Sequence, residues 1–186
     1  MLGEGFATHE APLAFLDLEM SGLEPMRHEI LEIAVVRVSQ PGLQVLESWS
    51  TKVRPEHIET ADPVSLKMIN YSDESWKDAV SLQEAMEVFV EKTRGHIVAG
   101  WNVAYDWAFL EVAMGKTGLQ SSIHKRILDV MSFAYNQLFH DRPLGDMGLA
   151  KTAKLFGIEQ ERHHEALSDT IATCEVYKKL VEQRSA

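Results

Sequence analysis

The stretch Leu13-Ala14-Phe15-Leu16-Asp17-Leu18-Glu19-Met20 sets two carboxylates at the end of an apolar run. Four consecutive apolar residues read as a buried β-strand, expected over Leu13 to Leu18. Successive strand side chains point to opposite faces, so Asp17 and Glu19 project to the same side. Two carboxylates held side by side repel each other unless a proton or a cation intervenes. Asp106 and Asp169 would raise the set to four negative charges, which two divalent cations balance. That stoichiometry points to metal-dependent phosphodiester chemistry.

Outward from this strand, Ile30 to Val38 is apolar with β-branched content, and Leu43 to Val53 continues it after a Pro41-Gly42 turn. With Leu13 to Leu18 these predict an antiparallel three-strand meander. Asp62 to Trp76 reads as a short helix plus turn bordering a cleft. Ser81-Leu82-Gln83-Glu84 is a capping box opening a helix whose apolar face is Leu82, Met86, Phe89 and Val90. Ile97-Val98-Ala99 predicts a short buried strand, followed by a helix from about Val103 to Lys116, stopped near Gly115 and Gly118. Ile127-Leu128 is another short strand, and helices follow at Val130 to Leu138, Asp146 to Phe156 and Glu165 to Glu182. Three strands and then alternating helix and strand imply an α/β fold: a mixed β-sheet, with short parallel strands beside the meander, flanked by helices.

A chain of 186 residues that is 45% hydrophobic forms one domain with a sizeable core, expected over residues 12–183 behind a flexible leader of residues 1–11. No apolar run approaches the ~20 residues that a membrane span needs. Met1 to Glu10 lacks the basic start and apolar stretch of a secretory signal. The single cysteine, Cys174, excludes an internal disulfide framework and fits the reducing cytoplasm. It falls at helical spacing with Leu167, Ile171, Tyr177 and Val181, so it reads as core rather than as a nucleophile. The formal charge of -10 counts against a broad, sequence-independent grip on duplex nucleic acid. It leaves room for an enzyme that engages a few terminal nucleotides. Lys151 with Lys154 is either a solvated helix face or the flank of a phosphate path.

Asn102-Val103-Ala104-Tyr105-Asp106 places an asparagine at a helix entry and an aspartate one turn later on the same face. The segment directly follows a short strand, where active sites of open α/β sheets gather. Taken alone, Asn102 reads as an N-cap and Asp106 as a first-turn residue favoured by the helix dipole. Phe109 and Leu110 would anchor the helix in the core. In His164-Glu165-Ala166-Leu167-Ser168-Asp169 the histidine stands five residues before the aspartate, so on one continuous helix the two would face apart. A loop histidine and a first-turn aspartate can both reach one cleft. There the imidazole can take a proton from metal-bound water. No other His or Cys stands at the spacing of a zinc site.

Leu16-Asp17-Leu18-Glu19-Met20-Ser21-Gly22-Leu23, the N-x-x-x-D-x-x-F-L pattern of Asn102 to Leu110, and the H-x-A-x-x-D of His164 to Asp169 resemble the three exonuclease motifs of the DnaQ-like family. More narrowly, they are similar to its DEDD subgroup with a motif-three histidine (DEDDh). The resemblance runs from about Pro12 to Leu180. It implies an RNase H-like fold and a nuclease that removes nucleoside 5′-monophosphates from 3′ ends of single-stranded DNA or RNA, using two Mg²⁺ or Mn²⁺ ions. It further implies that Asp17 bridges the metals, that Glu19 and Asp169 ligate one of them, and that Asp106 supports the other. His164 would be the general base. Gly22 would let the substrate backbone approach and Leu23 would wedge against the terminal base, with Met20, Ser21, Asn102 and Phe109 completing the substrate contacts. Hard cations and oxygen ligands suit an all-carboxylate site.

Many members of the family carry two threonines where this chain has Met20-Ser21, and methionine there is a feature of oligoribonucleases, so short RNA stands beside DNA as a substrate. A DNA proofreading role would need a polymerase partner, and a homodimer is compatible with the sequence. Trp101, where a histidine often precedes the asparagine, would stack on a base or pack in the core. Asp129 and Glu32 are acidic residues inside apolar segments; either could support the site from behind its ligands, but structural hydrogen bonds suffice to explain both, and neither joins the catalytic set. Two other classes compete. A haloacid-dehalogenase-type phosphatase needs a second aspartate where Glu19 stands. A non-catalytic nucleic-acid-binding relative would be marked by loss of a metal ligand, and here all four carboxylates and the histidine are in place.

Overall fold

The computed structural model describes residues 10–139, 147–160 and 164–184. Five strands, β1 (Leu13–Met20), β2 (Ile30–Val38), β3 (Val45–Lys52), β4 (Ile97–Gly100) and β5 (Ile127–Asp129), form one sheet in the order β3-β2-β1-β4-β5. The first three make the expected antiparallel meander, while β1, β4 and β5 run parallel to one another. β1 extends two residues past the expected Leu18 because β2 supplies partners as far as Glu19↔Glu32 and Met20↔Ile30. On its other side, pairing with β4 ends at Phe15↔Ala99. Residues 17–20 therefore lie beyond the parallel half of the sheet, beside an opening that other elements fill.

Alternation along β1 sorts its side chains into two layers. Ala14, Leu16 and Leu18 pack with Met86 and Phe89 of α2 (Leu82–Lys92) and with Phe109 and Leu110 of α3 (Ala104–Thr117). On the opposite face, Leu13 and Phe15 pack with Cys174, Val176 and Leu180 of α6 (Ala166–Arg184) and Ala153 of α5 (Leu149–Leu155). Burial pushes the Cys174 thiol up to about 12, so it is core and not a nucleophile. Helix α6 runs back along β1, with the Tyr177 ring 5.6 Å from that of Phe15.

The helix boundaries follow local chemistry. At the start of α2, the Ser81 hydroxyl accepts from the Glu84 N–H and the Glu84 carboxylate accepts from the Ser81 N–H, the predicted capping box. Gly118 ends α3 with φ of +69°, a left-handed turn that costs a side-chain-bearing residue more. The helix expected over 130–138 is split: α4 (Val130–Ala134) passes into a π-helical turn at Tyr135–Phe139. A short helix, α1 (Pro63–Met68), stands within the expected 62–76 segment. Asp146, the expected start of α5, lies outside the described residues, as do residues 1–9 of the expected leader; Ala11 is already fully buried. Among the described residues, no helix is long and apolar enough to cross a membrane.

Candidate active site

At Asp17 the face of β1 that carries Leu13 and Phe15 changes from hydrocarbon to carboxylate, and Glu19 continues it. Asp169 stands in the first turn of α6, which packs over that face. His164, two residues before α6, completes a group in which ligand atoms of Glu19, His164 and Asp169 all lie within 4.8 Å of one another. Asp106 arrives from the first turn of α3. Its Oδ1 accepts the Leu18 N–H at 3.0 Å, beyond the point where β4 stops pairing with β1. That hydrogen bond ties α3 to the middle of the acidic pair and leaves Asp106 only 5% exposed. The three motif segments thus come together at the C-terminal end of β1.

Crowding shows in the proton affinities. Burial holds the Asp17 carboxyl well above the usual range, and Asp106, Glu19, Asp169 and Glu32 push it further. Glu19 is pushed up to about 8, first by burial and then by Asp169, Glu32 and Asp106. Asp106 rises to about 7, again through burial, although backbone N–H groups, including that of Leu18, hold it down. Carboxylates this unwilling to ionise together keep their charge only if positive charge joins them. A cluster of hard oxygen donors that repel one another fits divalent cations such as Mg²⁺ or Mn²⁺.

Two motif residues occupy left-handed backbone: Asn102 with φ of +57° and His164 with φ of +60°. Such conformations are costly for residues other than glycine and collect at functional sites. The twist corrects the expectation for Asn102. Its side chain is exposed and caps nothing, because the residue preceding α3 is Val103, and the Val103 N–H donates to Asp129 Oδ2 at 3.0 Å. Asn102 and Asp106 therefore do not share a face; one is exposed and the other buried. Asp129 also accepts the Ser132 N–H at 2.6 Å, which confirms its structural role.

The expected substrate contacts divide. Leu23 is 62% exposed on the β1–β2 loop and Met20 is half-buried against the core. Ser21 is fully buried, and its hydroxyl accepts the Glu29 N–H at 2.8 Å, which secures the loop rather than facing solvent. Gly22 is also buried. A Cβ there would meet the His28 imidazole at 2.5 Å, so the glycine is required by His28 and not by an approaching ligand. Phe109 is 2% exposed within the core between α3 and the sheet and cannot touch substrate; its N-x-x-x-D-x-x-F-L position serves packing. Trp101 packs in the opposite core layer and donates its indole N–H to the Met147 carbonyl at 3.2 Å, so it too is structural.

Three residues outside the predicted set border the site. Glu32 is 7% exposed on β2, directly across from Glu19; a charge inside the run Ile30 to Val38 was its signal. The Gln160 amide donates to Asp169 Oδ1 at 2.9 Å, and His28 packs on Gly22. Neither has a sequence signature, because each contact depends on a loop path.

The model of a protein family described as exonuclease matches residues 14–177. A DNA polymerase III of PolC type from Caldanaerobacter subterraneus subsp. tengcongensis is 27% identical over 184 residues, 97% of this chain and 12% of the relative. The PolC-type polymerase of Staphylococcus haemolyticus is 24% identical over 174 residues, again covering 12% of its own length. The chain spans about an eighth of these curated relatives. Among solved structures, E. coli Exonuclease I in complex with a dT13 oligonucleotide superimposes with a TM-score of 0.79 at 17% identity, over 94% of this chain and 42% of that one. The nuclease domain of 3′hExo, a DEDDh family member bound to rAMP, gives 0.76 at 17% identity, over 95% and 94%. These likenesses establish the RNase H-like exonuclease fold.

Proposed function

This chain belongs to the exonuclease family, and from that premise we propose that it is a DEDDh-type nuclease that removes nucleotides one at a time from the 3′ end of single-stranded DNA or RNA, releasing nucleoside 5′-monophosphates. What carries the proposal is the convergence of Asp17, Glu19, Asp106 and Asp169, the first three with proton affinities raised by burial and neighbouring carboxylates, with His164 beside Glu19 and Asp169. Asp17, Glu19, Asp106 and Asp169 would hold two divalent cations, Mg²⁺ or Mn²⁺. Bound there, the cations would offset the negative charge and supply Lewis acidity toward water and phosphate oxygen.

The chain's own groups do the rest. Asp106, fixed by the Leu18 N–H, and Asp169, held by Gln160, keep their carboxylates aimed at the end of β1. The exposed His164 imidazole accepts the proton of the attacking water as general base. The exposed Leu23 rests against the terminal base, and Asn102, also exposed, faces the substrate strand. All five catalytic groups come from one chain, so no second copy is needed. The PolC-type relatives, named as DNA polymerases, favour DNA 3′ ends as substrate and a polymerase as partner.

The test uses single-stranded DNA and RNA oligonucleotides, labelled at either end, with Mg²⁺ or Mn²⁺. Mononucleotides are expected to leave first from the 3′ end, and EDTA is expected to stop the reaction. Asp17→Ala and Asp169→Ala are expected to be inactive with unchanged circular dichroism. Robust activity in EDTA or in either variant, or release from the 5′ end, would overturn the proposal.

A further inference from the structure

Glu32 is a buried carboxylate to which the reaction above assigns no task. It sits near the start of β2, an inner strand, on the face that α6 covers, with Glu19 directly opposite on β1 and Lys52 opposite on β3. A charge in that place would be costly without a hydrogen-bonding role. The partner stands at the start of α6, which packs on β2: Ala166 is fully buried there, and its backbone N–H faces the Glu32 carboxylate and offsets part of the rise in proton affinity caused by burial and by Glu165. Ala166 is the first residue of the helix, so its N–H is one of the four that no helical carbonyl satisfies. Caps of this kind ordinarily come from the residue just before the helix. Here the acceptor comes from a strand 134 positions away in sequence. It holds the helix end to the sheet at the level of Glu19.

The two residues flanking this cap are the ones that matter for the site. His164 lies two residues before Ala166 in left-handed backbone, and Asp169 lies three residues after it. Both converge on Glu19, whose strand neighbour is Glu32 itself. We propose that Glu32 is a positioning residue: by accepting the Ala166 N–H it sets the first turn of α6 on the sheet, and so fixes Asp169 and His164 relative to Glu19. It acts through the helix and touches neither substrate nor the reacting atoms. The inference rests on the proposed reading of the site as a two-cation centre. In metal sites, partners that orient the ligands typically affect affinity or activity by about 10–100-fold.

The experiment compares Glu32→Ala with Glu32→Gln. Glutamine keeps an oxygen acceptor for the Ala166 N–H and loses the charge. Mn²⁺ binding is measured by titration calorimetry, independently of turnover, and kcat and KM are measured on a single-stranded oligonucleotide. Glu32→Ala is expected to weaken Mn²⁺ binding and lower kcat by about 10–100-fold each, with KM changed less than about threefold, while Glu32→Gln recovers most of both. Two outcomes overturn the proposal. Wild-type values in both variants would make Glu32 an ordinary strand residue, and equal losses in both would assign the effect to its charge. Should the wild-type protein bind Mn²⁺ yet fail to degrade any oligonucleotide, the functional reading falls, and the calorimetric difference between the variants still decides the positioning role.

Discussion

The carboxylate of Asp17 works against the fold that carries it. Half-buried, and facing Asp106, Glu19, Asp169 and Glu32, it raises the free energy of the folded chain whenever it is ionised without a cation. Asp17→Asn is therefore expected to raise the melting temperature of the metal-free protein at pH 8 while abolishing nuclease activity, a trade of stability for function that differential scanning fluorimetry and the oligonucleotide assay read together. His164 is different in kind, being exposed and unburdened by packing. His164→Ala should lower turnover by about 10²–10⁴-fold, the usual worth of a general base, with Mn²⁺ affinity changed far less. An unchanged turnover would remove it from that role. Gly22→Ala would drive a methyl group into the His28 ring, which cannot swing away because it is buried and its Nδ1 accepts the Glu24 N–H. A loss of about 1–3 kcal/mol by urea denaturation is expected, partly recovered when His28 is also shortened to alanine.

Among the elements, the helices that deliver Asp106 and Asp169 are each fixed by a carboxylate from the sheet. Asp129, last residue of β5, accepts the N–H groups of Val103 and Ser132, so it secures the starts of α3 and α4 at once. Asp129→Ala should cost about 1–2 kcal/mol, the upper range for losing a cap, and should reduce activity by loosening Asp106; denaturation and kinetics measure the two effects separately. The meander, the capping box of α2 and the short strand before Asn102 were legible because each rests on a local rule: alternation, a four-residue cap, an apolar run closed by a turn. The π-helical turn at Tyr135–Phe139 was not, since its apolar spacing reads as ordinary helix. Asn102 as an N-cap failed for a related reason. Sequence shows a capping residue type, but here the cap on Val103 comes from Asp129, which only the parallel pairing of β4 and β5 brings near.

For the whole molecule, the raised proton affinities make metal-free stability depend on pH with a definite sign. An unfolded aspartate or glutamate titrates near 4, whereas in the folded chain Asp106 titrates near 7 and Glu19 near 8. Between these values the folded state holds protons that the unfolded state has released, so stability falls as pH rises. With EDTA present, the melting temperature should therefore decline from pH 5 to pH 8, and Mg²⁺ or Mn²⁺ should restore most of it at pH 8. A metal-free protein more stable at pH 8 than at pH 5 would contradict the crowding. The exonuclease family, and the four carboxylates and the histidine as its candidate groups, were legible in sequence alone, because metal-dependent chemistry demands particular residue types and three short motifs hold them in local patterns. What each neighbouring residue does was decided only by the tertiary structure. Phe109 and Trp101 turned inward, Gly22 answers to His28, and Glu32 reached the start of α6. Such roles depend on which backbone donors and side chains long-range folding leaves facing one another, and no local pattern in the chain encodes that.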